Sequence, residues 1–196
     1  MRDALAIERY DRALVIRFNR SELRNALSIH VVERLHVVVD QIAIDGESDR
    51  VIFTGTGDVF ASGADLREIN AVTSSTAREF AYRGQALMTK IAELPNLTIA
   101  AVNGLCFGGA FDLALACDSR IASPNARFAH PGAGLGIITG WGGTQRLPRL
   151  IGVANTFEML FTGEPIRAAR ALSIRLIDEI AADPLVRSME LTPQLV

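Results

Sequence analysis

Apolar positions along the chain follow two rhythms. Short runs at 4–7, 13–18, 51–54, 98–102 and 119–122 are continuous or alternating and predict strands, the first two joined by a polar turn around Tyr10-Asp11-Arg12. Between them, Ile29, Val32, Leu35, Val39 and Ile42 recur at helical spacing behind Ser28, whose hydroxyl predicts an N-cap. A second long helix is predicted over 75–94, stopped by Pro95, and a buried one over 109–116. Asp65 and Glu68 have the spacing of a capping box, with Asp in place of Ser or Thr, and predict a further helix start there. Helical spacing returns at 143–150, 155–161 and 168–172, and Pro184 and Pro193 punctuate the tail. The segment 55–63 and the glycine- and proline-rich stretch 124–143 predict loops, the second long enough to carry function. Strands that alternate with helices predict an α/β class.

Two helix starts are flanked by glycine, at Ala64 and at Gly109. The stretch from Val102 to Asp112 predicts strand, glycine turn, helix. Adjacent glycines let backbone approach a ligand closely, and the start of a helix offers unpaired N–H donors at the positive end of its dipole. An anion or a developing oxyanion is stabilised there. Asp112 lies three residues beyond Gly109, on the same helix face, and leans back toward those glycines.

Composition narrows the chemistry mainly by exclusion. The chain has 196 residues, one domain or one with a small appendage, and a net charge of −2 with no basic run, so no nucleic-acid partner is expected. Charges at Arg2, Asp3 and Glu8 and the lack of about 20 successive apolar residues predict neither a signal peptide nor a membrane span, hence a cytoplasmic protein. Cys106 and Cys117 are read as buried thiols. Gly55-Thr56-Gly57 lacks the third glycine of a dinucleotide fingerprint, the surroundings of Ser62 are not GxSxG, and neither HExxH nor CxxC occurs, so no metal site is expected.

Several separate motifs, in order and spacing from about residue 5 to 180, resemble the crotonase superfamily, the enoyl-CoA hydratase/isomerase family. They are Arg24-Asn25-Ala26-Leu27-Ser28, Phe60 to Glu68, Val102 to Asp118, Gly140-Trp141-Gly142-Gly143-Thr144-Gln145-Arg146-Leu147, Thr162-Gly163-Glu164 and Ala168 to Asp178. The resemblance implies a spiral of ββα units in two roughly perpendicular sheets, usually assembled as trimers or hexamers. It implies an acyl-CoA thioester whose carbonyl is held by the backbone N–H groups of Ala64 and Gly109, with coenzyme A entering as part of the substrate and no separate cofactor. Arg24, Ala26, Ser62, Asp65, Leu66, Gly108, Gly132 and Trp141 would border the substrate.

Departures from the family pattern bear on the reaction. A typical hydratase uses two glutamates; here one position is Asp112 and the other is Gly132, in Phe128-Ala129-His130-Pro131-Gly132. Asp112 is the expected acid/base, and His130 is the nearest titratable replacement for the second glutamate. One carboxylate suits isomerisation, decarboxylation or thioester hydrolysis, and a non-catalytic CoA-ester-binding relative is the alternative. His30 and His36 are read as surface residues, and Trp141 either shapes the acyl pocket or only packs. Residues 1–180 are expected to form the acyl-CoA-binding domain. The tail 181–196 is short where family members usually continue with further C-terminal helices.

Overall fold

The computed structural model describes residues 3–192; Arg2 and Pro193, used above, lie outside them. Strands β1 (Leu5–Tyr10) and β2 (Ala13–Phe18) form an antiparallel hairpin turned by Asp11 in the left-handed region. Ser28 accepts the amide of Val31 and caps α1 (Ile29–Asp45) as predicted. There follow β3 (Arg50–Gly55), β4 (Val59–Ala61), α2 (Leu66–Asn70) and α3 (Ala77–Ala92). Next come β5 (Leu97–Val102), β6 (Leu105–Phe107) and α4 (Gly109–Ala116), then β7 (Ser119–Ala122), β8 (Arg127–Ala129) and α5 (Gly143–Ile151). The chain continues through α6 (Val153–Thr162), β9 (Ile166–Arg167), α7 (Ala168–Ser173), β10 (Glu179–Ile180) and α8 (Pro184–Glu190).

One unit repeats three times: a long strand, a short strand, then helix. The long strands β3, β5 and β7 lie in a six-stranded sheet of order β1-β2-β3-β5-β7-β10. The short ones, β4, β6 and β8, lie in a four-stranded sheet of order β4-β6-β8-β9. The α/β class with ββα units is therefore as expected. The short strands correct the local reading: β6 intervenes between the turn at Gly104 and the helix at Gly109, and β4 and β8 occupy stretches predicted as loop. Runs of three residues are too short to show a period.

The large sheet is covered on both faces, which explains why β2, β3 and β5 read as nearly unbroken apolar runs. Phe18, Phe53, Phe60, Leu35, Leu87 and Phe111 belong to the core beneath the helices. Val15, Ile52, Ile99 and Ile121 face the other way, against Leu185, Met189 and Leu191. The tail is thus part of the packing. Asp183 accepts the amides of Leu185 and Val186, Pro184 opens α8, and Arg50 donates to the carbonyls of Met189 at 2.6 Å and Leu191 at 2.7 Å.

Cys106 and Cys117 are buried free thiols, as read from their surroundings. His36 is not a bare surface residue: its Nε2 lies 3.0 Å from the Arg83 carbonyl and ties α1 to α3. Among the described residues no helix is long and apolar enough to cross a membrane.

Candidate active site

The small sheet places the site. Its strands β4, β6 and β8 run parallel, and the segments that leave their carboxyl ends are Ser62–Gly63–Ala64, Gly108–Gly109 and His130–Pro131–Gly132. Ligands commonly bind outside the carboxyl ends of parallel strands. The pairing of β4 with β6 brings together the two glycine-flanked helix starts, which lie far apart in sequence.

Contact between them is close. A Cβ on Gly63, whose φ is +90°, would lie 2.7 Å from the Phe107 carbonyl oxygen and 3.0 Å from the Gly109 nitrogen. No side chain fits between the two backbones, so the residue before Ala64 packs directly against the start of α4. Gly109 opens α4, so its N–H has no partner within the helix. Among the described residues neither of these two N–H groups has an acceptor.

The loop at Arg24–Leu27 braces this corner. Leu27 donates to the Gly63 carbonyl at 2.8 Å and Ser62 to the Arg24 carbonyl at 3.0 Å. Arg24 and Asn25 are both left-handed, and the buried Asn25 amide donates to the Val59 carbonyl at 2.8 Å while its oxygen accepts the Arg20 amide. Asp65 caps α2 through Arg67, and the Arg67 guanidinium holds its carboxyl down at about 2. Glu68 corrects the capping-box reading: it caps α1 instead, accepting the Ile29 amide at 2.7 Å.

Asp112 and His130 form the titratable part. Both are nearly inaccessible, at 1% and 3% exposure, and His130 Nε2 stands 3.5 Å from Asp112 Oδ1. The Thr139 hydroxyl donates to Asp112 Oδ2. Asp112 Oδ1 and both ring nitrogens of His130 are buried without hydrogen-bond partners. The backbone amides of Trp141 and Gly143 also approach the carboxyl group. Burial raises the Asp112 carboxyl to about 6; Thr139, those amides and Arg146 act in the opposite direction. Burial lowers His130 to about 4, so the imidazole is neutral at pH 7. Gly143 makes room for the pair, since a Cβ there would strike Asp112 Oδ1 and come within 2.8 Å of His130 Nε2.

These groups open on one cavity of about 420 Å³. Of the residues expected from sequence, Ser62, Ala64, Leu66, Gly108, Gly109, Asp112, His130, Gly132 and Trp141 line it. Arg24, Ala26 and Asp65 do not; they stand on the bracing loop and the α2 cap. An apolar wall from α2, α3 and the turn between them, with Ile69, Val72, Ala77 and Phe80, and Thr139 from the long loop have no marked signal in the sequence.

A profile of the enoyl-CoA hydratase/isomerase family matches residues 8–192. The chain belongs to this family. It is 38% identical over 175 residues to the short-chain-enoyl-CoA hydratase of Clostridium acetobutylicum, an alignment covering 89% of this chain and 67% of that one. To the crotonyl-CoA hydratase of Syntrophomonas wolfei it is 36% identical, over 97% of this chain and 72% of the relative. The crystal structure of an enoyl-CoA hydratase from Bacillus anthracis superposes with a TM-score of 0.89 at 34% identity, covering 95% of this chain and 73% of that chain. The chain thus spans about two thirds to three quarters of the length of these relatives. The family match continues to residue 192, beyond the residue-180 limit of the motifs.

Against the family pattern, Gly132 is more than a missing glutamate. A Cβ there would lie 2.5 Å from the Ile137 carbonyl, because the loop folds back with Ile137 donating to the Gly132 carbonyl at 3.0 Å. The space where a side chain at 132 would start is occupied by backbone.

Proposed function

We propose that the protein is an enzyme of the enoyl-CoA hydratase/isomerase type acting on acyl-CoA thioesters. The backbone N–H groups of Ala64 and Gly109 would hold the thioester oxygen, and Asp112 would move the proton. The observation that carries the reading is the position of Asp112: a buried carboxyl, raised to about 6, opening on the same cavity as two unpaired amides. A base that titrates near working pH combines the ionised form with a favourable proton transfer. The amides stabilise charge as it develops on the thioester oxygen, and water displaced from the cavity strengthens that interaction.

For hydration, Asp112 takes a proton from water as the hydroxyl oxygen bonds to the β-carbon. The electron pair of the double bond moves to the thioester oxygen, held by the two amides. The enolate then takes a proton at the α-carbon, and Asp112 returns to its carboxylate form by giving up the one it accepted. His130, neutral and 3.5 Å from Oδ1, would orient the water and not carry charge. The names of the relatives favour this reaction. The backbone filling the space at Gly132 favours a second: Asp112 removes the α-proton of a 3-enoyl ester and returns it at the γ-carbon, which needs only one carboxylate. A homotrimer or hexamer, as in the family, is part of the proposal.

The test follows the conjugated thioester absorbance with crotonyl-CoA and with a 3-enoyl-CoA. Loss of absorbance with the first means hydration, and gain with the second means isomerisation. Asp112→Ala should lower either turnover by about 10²–10⁴-fold while CoA-ester binding persists. Unchanged turnover in that variant would sink the assignment. Binding without turnover across both esters would mark a non-catalytic relative.

A further inference from the structure

Trp141 is held in a slot made by two glycines on different helices. A Cβ on Gly84, in the middle of α3, would strike the indole at Cδ1, Cγ and Nε1, and a Cβ on Gly109 would strike its six-membered ring at Cε3 and Cζ3. Glycine inside a helix is destabilising relative to alanine, and what Gly84 offers in return is the space it leaves for the indole. The ring is 4% exposed, and Phe80 packs on it at 5.8 Å between centroids. The indole therefore packs directly against the residue whose N–H is proposed to hold the thioester oxygen.

Three spaces meet at this ring. On one side is the 420 Å³ cavity. On another is a gap of about 10 Å³ toward Leu27, Val32 and Gly84. On a third is an open groove of about 460 Å³ beside Gln85, Thr89 and Arg149. Trp141 is the one residue that lines all three.

The geometry points to Trp141 as the specificity-determining residue that closes the inner end of the acyl site and restricts the enzyme to short-chain enoyl esters. This rests on the acyl-CoA reading above. A four-carbon acyl group would end against the indole and Phe80, and an eight-carbon one would need the ring to leave its slot. Gly84 and Gly109 act through Trp141 and fix where the indole stands.

Trp141 is the only tryptophan of the chain, so its own fluorescence reports contact with an acyl tail. The experiment titrates the wild-type protein with CoA, butyryl-CoA and octanoyl-CoA, and measures kcat/KM for crotonyl-CoA and 2-octenoyl-CoA in wild type, Trp141→Phe, Trp141→Ala, Gly84→Ala and Gly84→Ala/Trp141→Ala. Butyryl-CoA should change the emission where CoA alone does not. The ratio of eight-carbon to four-carbon kcat/KM should rise about tenfold or more in Trp141→Ala, and by less in Trp141→Phe. Gly84→Ala should lower crotonyl-CoA turnover by pushing the indole, and the double variant should recover part of it while keeping the raised eight-carbon to four-carbon ratio of Trp141→Ala, a change in preference that relief of a packing clash alone would not give. Equal wild-type kcat/KM for the two esters, or an unchanged ratio in folded Trp141→Phe and Trp141→Ala, overturns the inference and leaves the enoyl-CoA reading standing. A wild type that neither binds nor converts any of these esters overturns that reading itself.

Discussion

The two halves of the cavity are built from different materials. One is backbone: Ala64 and Gly109, set by the β4–β6 pairing and by the contact of Gly63 with Phe107 and Gly109. The other is side chain: Asp112, His130 and Thr139, with Gly143 leaving room for them and the Ile137 backbone filling the space beside Gly132. The backbone half depends on strand register and on glycines that no other residue can replace without strain. The side-chain half depends on three functional groups, any of which can change without moving the fold. Within the cavity, the two departures noted in the sequence, Asp112 and Gly132, both lie in the side-chain half.

Each half can be broken separately. Asp112→Asn keeps the shape and should cost the most, about 10²–10⁴-fold in kcat, with CoA-ester affinity within a few-fold of wild type. Gly63→Ala should cost about 10²–10³-fold by displacing a donor, and it should weaken ester binding too, because the thioester oxygen is then poorly held in the ground state as well. If the two variants give the same split between kcat and KM, the division into halves is wrong.

The pH dependence sharpens the same contrast. With Asp112 as base, kcat/KM should fall as pH drops through about 6, and a profile that instead falls as pH rises through 6 would make Asp112 an acid. Stability should run the other way. The folded-state value of about 6 lies above the unfolded value of roughly 3.9, so the folded state binds this proton more tightly. That contribution is fully present below about pH 4 and is lost as pH rises through 6, up to about 3 kcal/mol. Asp112→Asn should accordingly unfold at higher denaturant than wild type at pH 8 and at nearly the same concentration at pH 4. The smallest effect is expected for Glu68→Gln, which keeps an acceptor for the Ile29 amide but loses its charge: about 0.3–1 kcal/mol of stability by chemical denaturation, with kcat unaffected.

Much of this was legible in the sequence where local chemistry decides the outcome. Ser28 caps the helix it was expected to cap, and the stretches 109–116 and 119–122 form a helix and a strand with the predicted bounds. The two glycine-flanked starts were visible, but their meeting was implied only by the family resemblance and not by the local pattern, because it depends on β4 and β6, three residues each. Thr139 sits in a glycine-rich loop without periodicity, and nothing local marks it as the partner of Asp112. The fold-back of Ile137 onto Gly132 is likewise a loop contact that no pattern of apolar positions encodes. The signal for α8 was present in Asp183-Pro184, an N-cap followed by proline at the first helical position, and was hidden by reading the proline only as a breaker.

Glu68 ties two helices that border different spaces. It sits on α2, which supplies Leu66 and Ile69 to the cavity, yet the amide it accepts belongs to the first residue of α1. Any opening that lifts α2 away to admit a ligand must also release that amide to solvent. In hydrogen–deuterium exchange the Ile29 N–H should therefore follow the opening rate of α2 and not that of its own helix, and slow when the cavity is filled. A position outside the cavity would then serve as a clock for its mouth.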